Sequence, residues 1–170
     1  MYKIGDNIVY GSSGVMTVVD IKDDDITGET KTYYLLREYG RASSSVTFVP
    51  QDNERLISLM HPVLTREEAL GAFDEACAMA DIAWIPEGRT RAESYKSIVK
   101  NANRAEILAM IRTIHKTGLS RVAIGKKNFI ADENVMNRAE AILALEFSIS
   151  LGVSEAEVKE IIKTRIKGVE

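Results

Sequence analysis

The feature that most limits the folds open to this chain is a change of period at Thr65. Before it, apolar residues come in short β-branched runs broken by glycine and aspartate; after it they recur every three or four residues. The first pattern belongs to strands and the second to helices. The chain therefore reads as α+β in two consecutive parts.

In the first part, Asn7–Tyr10 is followed by a turn at Gly11–Gly14, then by Val15–Ile21 and the turn cluster Asp23–Gly28. Thr32–Arg37 and Ser45–Val49 follow, separated by a Gly- and Ser-rich stretch. Four or five short strands at a spacing of about ten residues predict a small antiparallel β-barrel or sandwich. Alternation assigns Ile8, Val18, Tyr34, Leu36, Val46 and Phe48 to its core. Pro50 has no N–H to give to a ladder and marks a strand end.

In the second part, Thr65-x-x-Glu68 is a capping box ahead of a stripe at Ala69, Leu70, Phe73, Ala76, Cys77 and Ala80. A second helix over Thr90–Asn101 turns Tyr95, Ile98 and Val99 inward. Asn103-x-x-Glu106 caps a third, which buries Ile107, Leu108, Ile111 and Ile114 and ends at Gly118. Leu119–Asn128 is ambiguous, compatible with one short helix. Ile130–Leu151 is a long helix with Val135, Ala139, Ile142, Leu143, Phe147 and Ile149 on its apolar positions, capped by Gly152. Ser154-x-x-Glu157 opens the last helix, with Val158, Ile161, Ile162 and Ile166 apolar. Short connections place these helices in one all-α bundle. The domains are thus residues 1–60 and 61–170, divided around Leu59–Leu64, where His61 and Pro62 break the strand pattern.

Charge is unevenly spread. Of the 22 Lys+Arg and 25 Asp+Glu, residues 84–131 hold 10 and 3, a balance of +7. The flanking segments 1–60, 61–83 and 132–170 stand at -3, -4 and -3. A basic stretch inside an acidic chain is a candidate footprint for a polyanion. The overall pI of about 5.6 argues against general coating of nucleic acid, so a partner would have to bring the chain to DNA.

Little here points to an enzyme. His61 and His115 have no Cys or Asp at metal-ligand spacing, and His115 reads as a residue of a helix end. Gly11–Gly14 lacks the lysine and the following helix of a phosphate loop. Asp23, Asp24 and Asp25 are adjacent and do not converge on one point. The lone Cys77 reads as a small residue on a helix. No cofactor, metal or small-molecule substrate is expected. No apolar run is long enough for a bilayer, and the first residues have no apolar core like that of a signal peptide, so the expectation is a cytoplasmic protein without a membrane partner.

The basic stretch opens on the single tryptophan, Trp84, two residues before Pro86. Arg89, Arg91, Lys96, Lys100 and Arg104 recur after it, and Lys126 and Lys127 follow Gly125. Such cations neutralise phosphates, although a charged helix face is also simply well solvated. A tryptophan beside Arg and Lys can act as a wedge at a base step or a platform for single strands. Equally, it can plug the joint between domains.

Ile4, Gly5, Asp6, Ile8, Val9 and Tyr10, with Gly14, Val15, Val49 and Pro50, resemble the start and end of the amino-terminal module shared by CarD/CdnL proteins and the polymerase-interacting domain of the transcription-repair coupling factor. The lone Trp84 followed by arginines, then Gly125, Lys126 and Lys127, then Ala131, Asp132, Glu133, Ala139, Glu140, Glu146, Leu151 and Gly152, resemble the CarD carboxyl-terminal domain. The likeness runs in order along nearly the whole chain. It implies a bacterial transcription regulator whose Tudor-like or SH3-like barrel docks on the β subunit of RNA polymerase. On that likeness a helical domain contacts promoter DNA at the upstream edge of the melted bubble, where the tryptophan enters the minor groove and slows collapse of the open complex.

Carried onto this sequence, the resemblance makes Trp84 the wedge and Arg89 and Arg91 the basic positions beside it. Lys96, Lys100, Lys126 and Lys127 are further candidate phosphate contacts from the charge pattern. Strand-edge pairing through Val46, Thr47, Phe48, Val49 and Pro50 is the expected polymerase contact. Docking on polymerase supplies local concentration, which fits the acidic pI. Two other classes stand beside this one: a protein–protein adaptor without DNA contact, and a hydrolase with a pocket of clustered titratable groups.

Overall fold

The computed structural model describes residues 1–26 and 28–169, in two compact units, Met1–Val63 and Leu64–Glu170. The expected turn Asp23–Gly28 includes Thr27, which lies outside the described residues.

The first unit is an antiparallel sheet of β1 (Asn7–Tyr10), β2 (Val15–Asp24), β3 (Lys31–Glu38), β4 (Val46–Pro50) and β5 (Met60–Pro62), in the order β4-β3-β2-β1-β5. A short helix α1 (Glu54–Ile57) precedes β5, started by the Asn53 side chain, which accepts from the Leu56 N–H. Gly14 links β1 to β2 at φ 91° and ψ -153°, a backbone conformation that side chains other than glycine's resist. Ile8, Met16, Val18, Tyr34, Leu36, Val49 and Met60 form the core.

Three expectations change here. His61 and Pro62 do not break the pattern but belong to β5, paired with Val9 and Ile8; an edge strand tolerates a proline that a central one would not. Among the described residues the sheet is open, because its end strands β4 and β5 pair only with their inner neighbours, where a small barrel or sandwich was expected. The alternation in β4 is shifted by one residue. Val49, opposite Tyr34, is the buried residue at 0% exposure, while Val46 is half-buried and Phe48 is 38% exposed. A one-residue slip in register exchanges the two faces of a strand. β2 carries a bulge between Val18 and Asp20, which changes which of its residues face the core.

The second unit is all-helical: α2 (Arg66–Ala78), α3 (Gly88–Asn101), α4 (Arg104–Ala123), α5 (Ile130–Leu151) and α6 (Glu155–Ile161), which continues as a wider turn over Ile162–Lys167. Thr65 and Ser154 make reciprocal capping boxes with Glu68 and Glu157, and Asn103 accepts from the Glu106 N–H. Each satisfies backbone donors that a helix start leaves orphaned. Both box glutamates are held below the usual carboxylate range by the hydrogen bonds they accept.

The first half of α4 is the axis of this unit. From Arg104 to Ile114 only Glu106 is not buried. Around it pack Tyr95, Ile98 and Val99 of α3, Phe73 of α2, Leu143 and Phe147 of α5, and Ile162 and Ile166 of the wider turn after α6. Phe73 and Phe147 meet edge to face at 5.2 Å. Full burial of such a ring stabilises by about 1.5–3 kcal/mol.

Gly118 does not end α4, which runs on to Ala123. A glycine within a helix costs only about 1 kcal/mol relative to alanine. Here the Asn128 amide lies where a Cβ on Gly118 would be 3.1 Å away. His115 is consequently interior to α4, its Nε2 buried without a hydrogen-bond partner. Burial, and then Lys167, lower its pKa, partly opposed by Glu140. Leu70 and Cys77, expected on the inner stripe of α2, are exposed; Ala72 takes the inward position instead.

Candidate functional site

Trp84 lies on the connection Met79–Glu87 between α2 and α3, a stretch without regular structure that buried arginines hold from both sides. On the α2 side, Arg112 donates to the carbonyls of Ala76 (2.6 Å) and Met79 (2.7 Å) and to Asp81 Oδ1 (2.7 Å). It thereby satisfies carbonyls left open where α2 stops. Lys116 donates to the other Asp81 oxygen at 3.0 Å, and hydrogen bonds from Arg112 and then Lys116 hold this carboxyl below its usual range. The Ile82 N–H donates to Thr113 Oγ1 at 2.8 Å.

On the α3 side, Glu87 is the cap. Its carboxylate accepts from the N–H groups of Arg89 and Thr90, and these bonds, those to Thr90 foremost, lower its pKa to about 2. Arg91, 1% exposed, then reaches back. Its Nη1 donates to the carbonyls of Ile85 (2.8 Å) and Pro86 (3.3 Å), and its Nε to Asp132 Oδ2 of α5 (2.8 Å).

The Arg91 guanidinium carbon lies 4.2 Å from the centre of the Trp84 ring and 4.4 Å from that of Phe129. The two rings are themselves 5.8 Å apart, tilted by 37°. That separation is too short for the guanidinium to lie between them, so it fills the corner they make. Arg121 covers Phe129 at 3.8 Å and donates to the Lys127 carbonyl at 2.8 Å, tying the loop after α4 into the same cluster. Cation–π contacts of this kind are worth about 2 kcal/mol or more when desolvated. Trp84 keeps 42% of its surface exposed. The indole is fixed from one side and open on the other.

The sequence candidates fall into separate groups. Arg91 is removed from phosphate reach: α3 has an inner stripe of Arg91, Tyr95, Ile98 and Val99, and Arg91 occupies its first position. Arg89, Lys96 and Lys100 share the outer face, where Arg89 pairs with Glu93 at 3.2 Å. Lys126 and Lys127 are exposed on the loop between α4 and α5, beside Phe129. Of the basic stretch, Arg91, Arg104 and Arg112 are buried against Asp132, Glu146 and Asp81, all acids outside residues 84–131. Much of the +7 is therefore cancelled in three dimensions. Phe129 and Arg121 were not singled out in the sequence. The available signal was an aromatic residue directly after a Lys-Lys-Asn run.

In the first unit, β4 is an end strand with β3 on one side only. Phe48 faces outward, packed edge to face on Tyr33 at 6.0 Å, with Lys22 Nζ 5.4 Å from its ring centre. Thr47 is exposed, Val46 and Pro50 are half-buried, and the Val49 side chain is committed to the core, leaving only its backbone for a partner.

Among the described residues no group of three or more His, Cys, Asp or Glu could hold a metal ion, and no helix is long and apolar enough to cross a membrane. A cavity of about 160 Å³ lies behind Phe129, between His115, Leu119 and Met136.

Residues 2–63 match the family model of the CarD-like/TRCF RID domain. A module of that type implies an RNA polymerase-interacting, transcription-related role. Its bounds coincide with those of the first unit to within a residue. The match stops before Trp84, so the helical unit rests on its own geometry. Comparison with curated proteins gave no match.

Proposed function

We propose that this protein is a non-enzymatic transcription regulator of the CarD type. In this reading its Tudor-like first unit docks on the RNA polymerase β subunit by pairing at the edge of β4. Trp84 enters the minor groove at the upstream edge of the melted promoter and slows collapse of the open complex. Arg89, Lys96, Lys100, Lys126 and Lys127 are the phosphate contacts, and the protein acts in the cytoplasm, at the nucleoid, through polymerase. The observation that carries the reading is a single tryptophan, 42% exposed and anchored at its back, in a chain whose first 63 residues carry a polymerase-interacting module. A wedge must present an apolar face and must not fold away when it meets a base step.

Trp84→Ala tests it. Retention on purified polymerase is expected to be unchanged, and the lifetime of the promoter open complex to fall. Equal lifetimes for the two proteins would remove the wedge role.

One observation favours the adaptor without DNA contact: Leu119, Val122, Ile124 and Ile130 are 56–74% exposed, near the same end of α4 and α5. Crosslinking in a polymerase–promoter mixture separates the readings. A salt-sensitive DNA crosslink at Lys126 or Lys127 supports the regulator, and its absence supports the adaptor.

A further inference from the structure

We infer that Arg91 is the positioning residue of the wedge: it sets the direction of the Trp84 indole and does not contact DNA. The inference rests on the wedge reading above and deepens it. Three observations converge on it. Arg91 is 1% exposed, so a phosphate cannot reach its guanidinium without unpacking α3 from α5. Its Nη1 bonds the carbonyls of Ile85 and Pro86, the two residues that follow Trp84, and so fixes the backbone on which the indole is carried. Its flat face fills the corner between Trp84 and Phe129, so the inner face of the indole has a defined seat.

The choice of arginine follows from these demands. A lysine in this place keeps the positive charge beside Asp132 but offers no planar surface for two rings and no forked donor set. Phe129 is then the second wall of the seat, with Arg121 and its bond to the Lys127 carbonyl as the support behind that wall. The loop that carries Lys126 and Lys127 is registered to the tryptophan by the same contacts. Wedge and phosphate contacts would thus be presented as one surface.

The single tryptophan makes the seat observable in the free protein, because all tryptophan fluorescence comes from Trp84. For Arg91→Lys, acrylamide quenching of that fluorescence is expected to rise about twofold while the helical circular dichroism is unchanged. The open-complex lifetime is expected to fall roughly thirtyfold, the scale of a desolvated cation–π contact of about 2 kcal/mol. In a Trp84→Ala background the same substitution is expected to leave the lifetime unaltered, because Arg91 acts only through the indole.

Unchanged quenching would overturn the inference. An equal lifetime loss in the Trp84→Ala background would overturn it too, by showing direct DNA contact or a general loss of fold. Increased quenching together with a Trp84→Ala protein of normal lifetime would leave the seat standing and remove the wedge function. Should Arg91→Lys lose its helical signal, Phe129→Leu takes its place. It removes the other wall without disturbing a buried charge, and the same quenching and lifetime outcomes decide.

Discussion

Among the described residues of the helical unit, two arginine–carboxylate pairs are buried on both sides, Arg104–Glu146 and Arg91–Asp132, and they are built on different principles. Arg104 and Glu146 make a closed unit. Arg104 Nε bonds both Glu146 oxygens, its Nη2 reaches Oε1 at 2.7 Å, its Nη1 takes the Ala102 carbonyl, and the Leu64 N–H adds a further donor to Oε1. Arg91 and Asp132 are just as deep, yet Asp132 uses one oxygen only, and its Oδ1 is buried without a partner, as is the hydroxyl of Tyr95. In the second pair, two aromatic rings contact the guanidinium instead. The first pair fastens α4 to α5. The second gives up hydrogen bonds to hold a side chain that remains open to its surroundings.

The contrast can be broken by substitution. The largest effect is expected for Glu146→Ala, which leaves Arg104 buried and unpaired, and removal of one partner of a buried pair costs about 3–5 kcal/mol. Urea unfolding followed at 222 nm measures it; a loss below that of Asp132→Asn would reverse the ranking of the two pairs. Asp132→Asn is expected to cost less, about 1–3 kcal/mol, since Arg91 loses its counter-charge but keeps a side-chain acceptor and the Ile85 and Pro86 carbonyls. Its distinguishing effect is a change in Trp84 quenching, which Glu146→Ala should not produce below its unfolding transition.

A smaller effect lies at the cap of α3. In the folded chain Glu87 ionises at about 2, against an ordinary 4.5. As pH falls below about 4.5 the unfolded chain takes up this proton first, so the cap's contribution is complete above that value and fades as pH approaches 2. The melting temperature of Glu87→Gln is expected to fall less steeply over this window than that of the unchanged protein. An identical slope would show that the carboxylate does not stabilise the helix start.

The division into strands and helices was legible because it is written locally. Thr65 with Glu68, Ser154 with Glu157, and Gly152 past a long apolar period fix helix ends within a few residues of themselves. The sequence failed where the decisive partner is remote. Whether Val49 or Phe48 faces inward depends on the register of β4 against β3, which no residue of β4 encodes alone. The role of Arg91 depends on Asp132, 41 positions away, and on Phe129 beside it. The position of Arg91 in a stripe with Tyr95 and Ile98 was visible, and weighing period above charge would have placed it inside. Trp84 could be singled out by its rarity and its neighbours; how it is seated could not.

The shortness of β4 has a consequence for time rather than place. A strand of five residues directs only about half of its backbone groups outward, so an added strand gains roughly four or five hydrogen bonds. At about 0.5–1.5 kcal/mol net for each, such an edge by itself yields an association that forms and dissolves readily. A chain that attaches in this way can leave one complex and join another, so a modest number of copies can serve many.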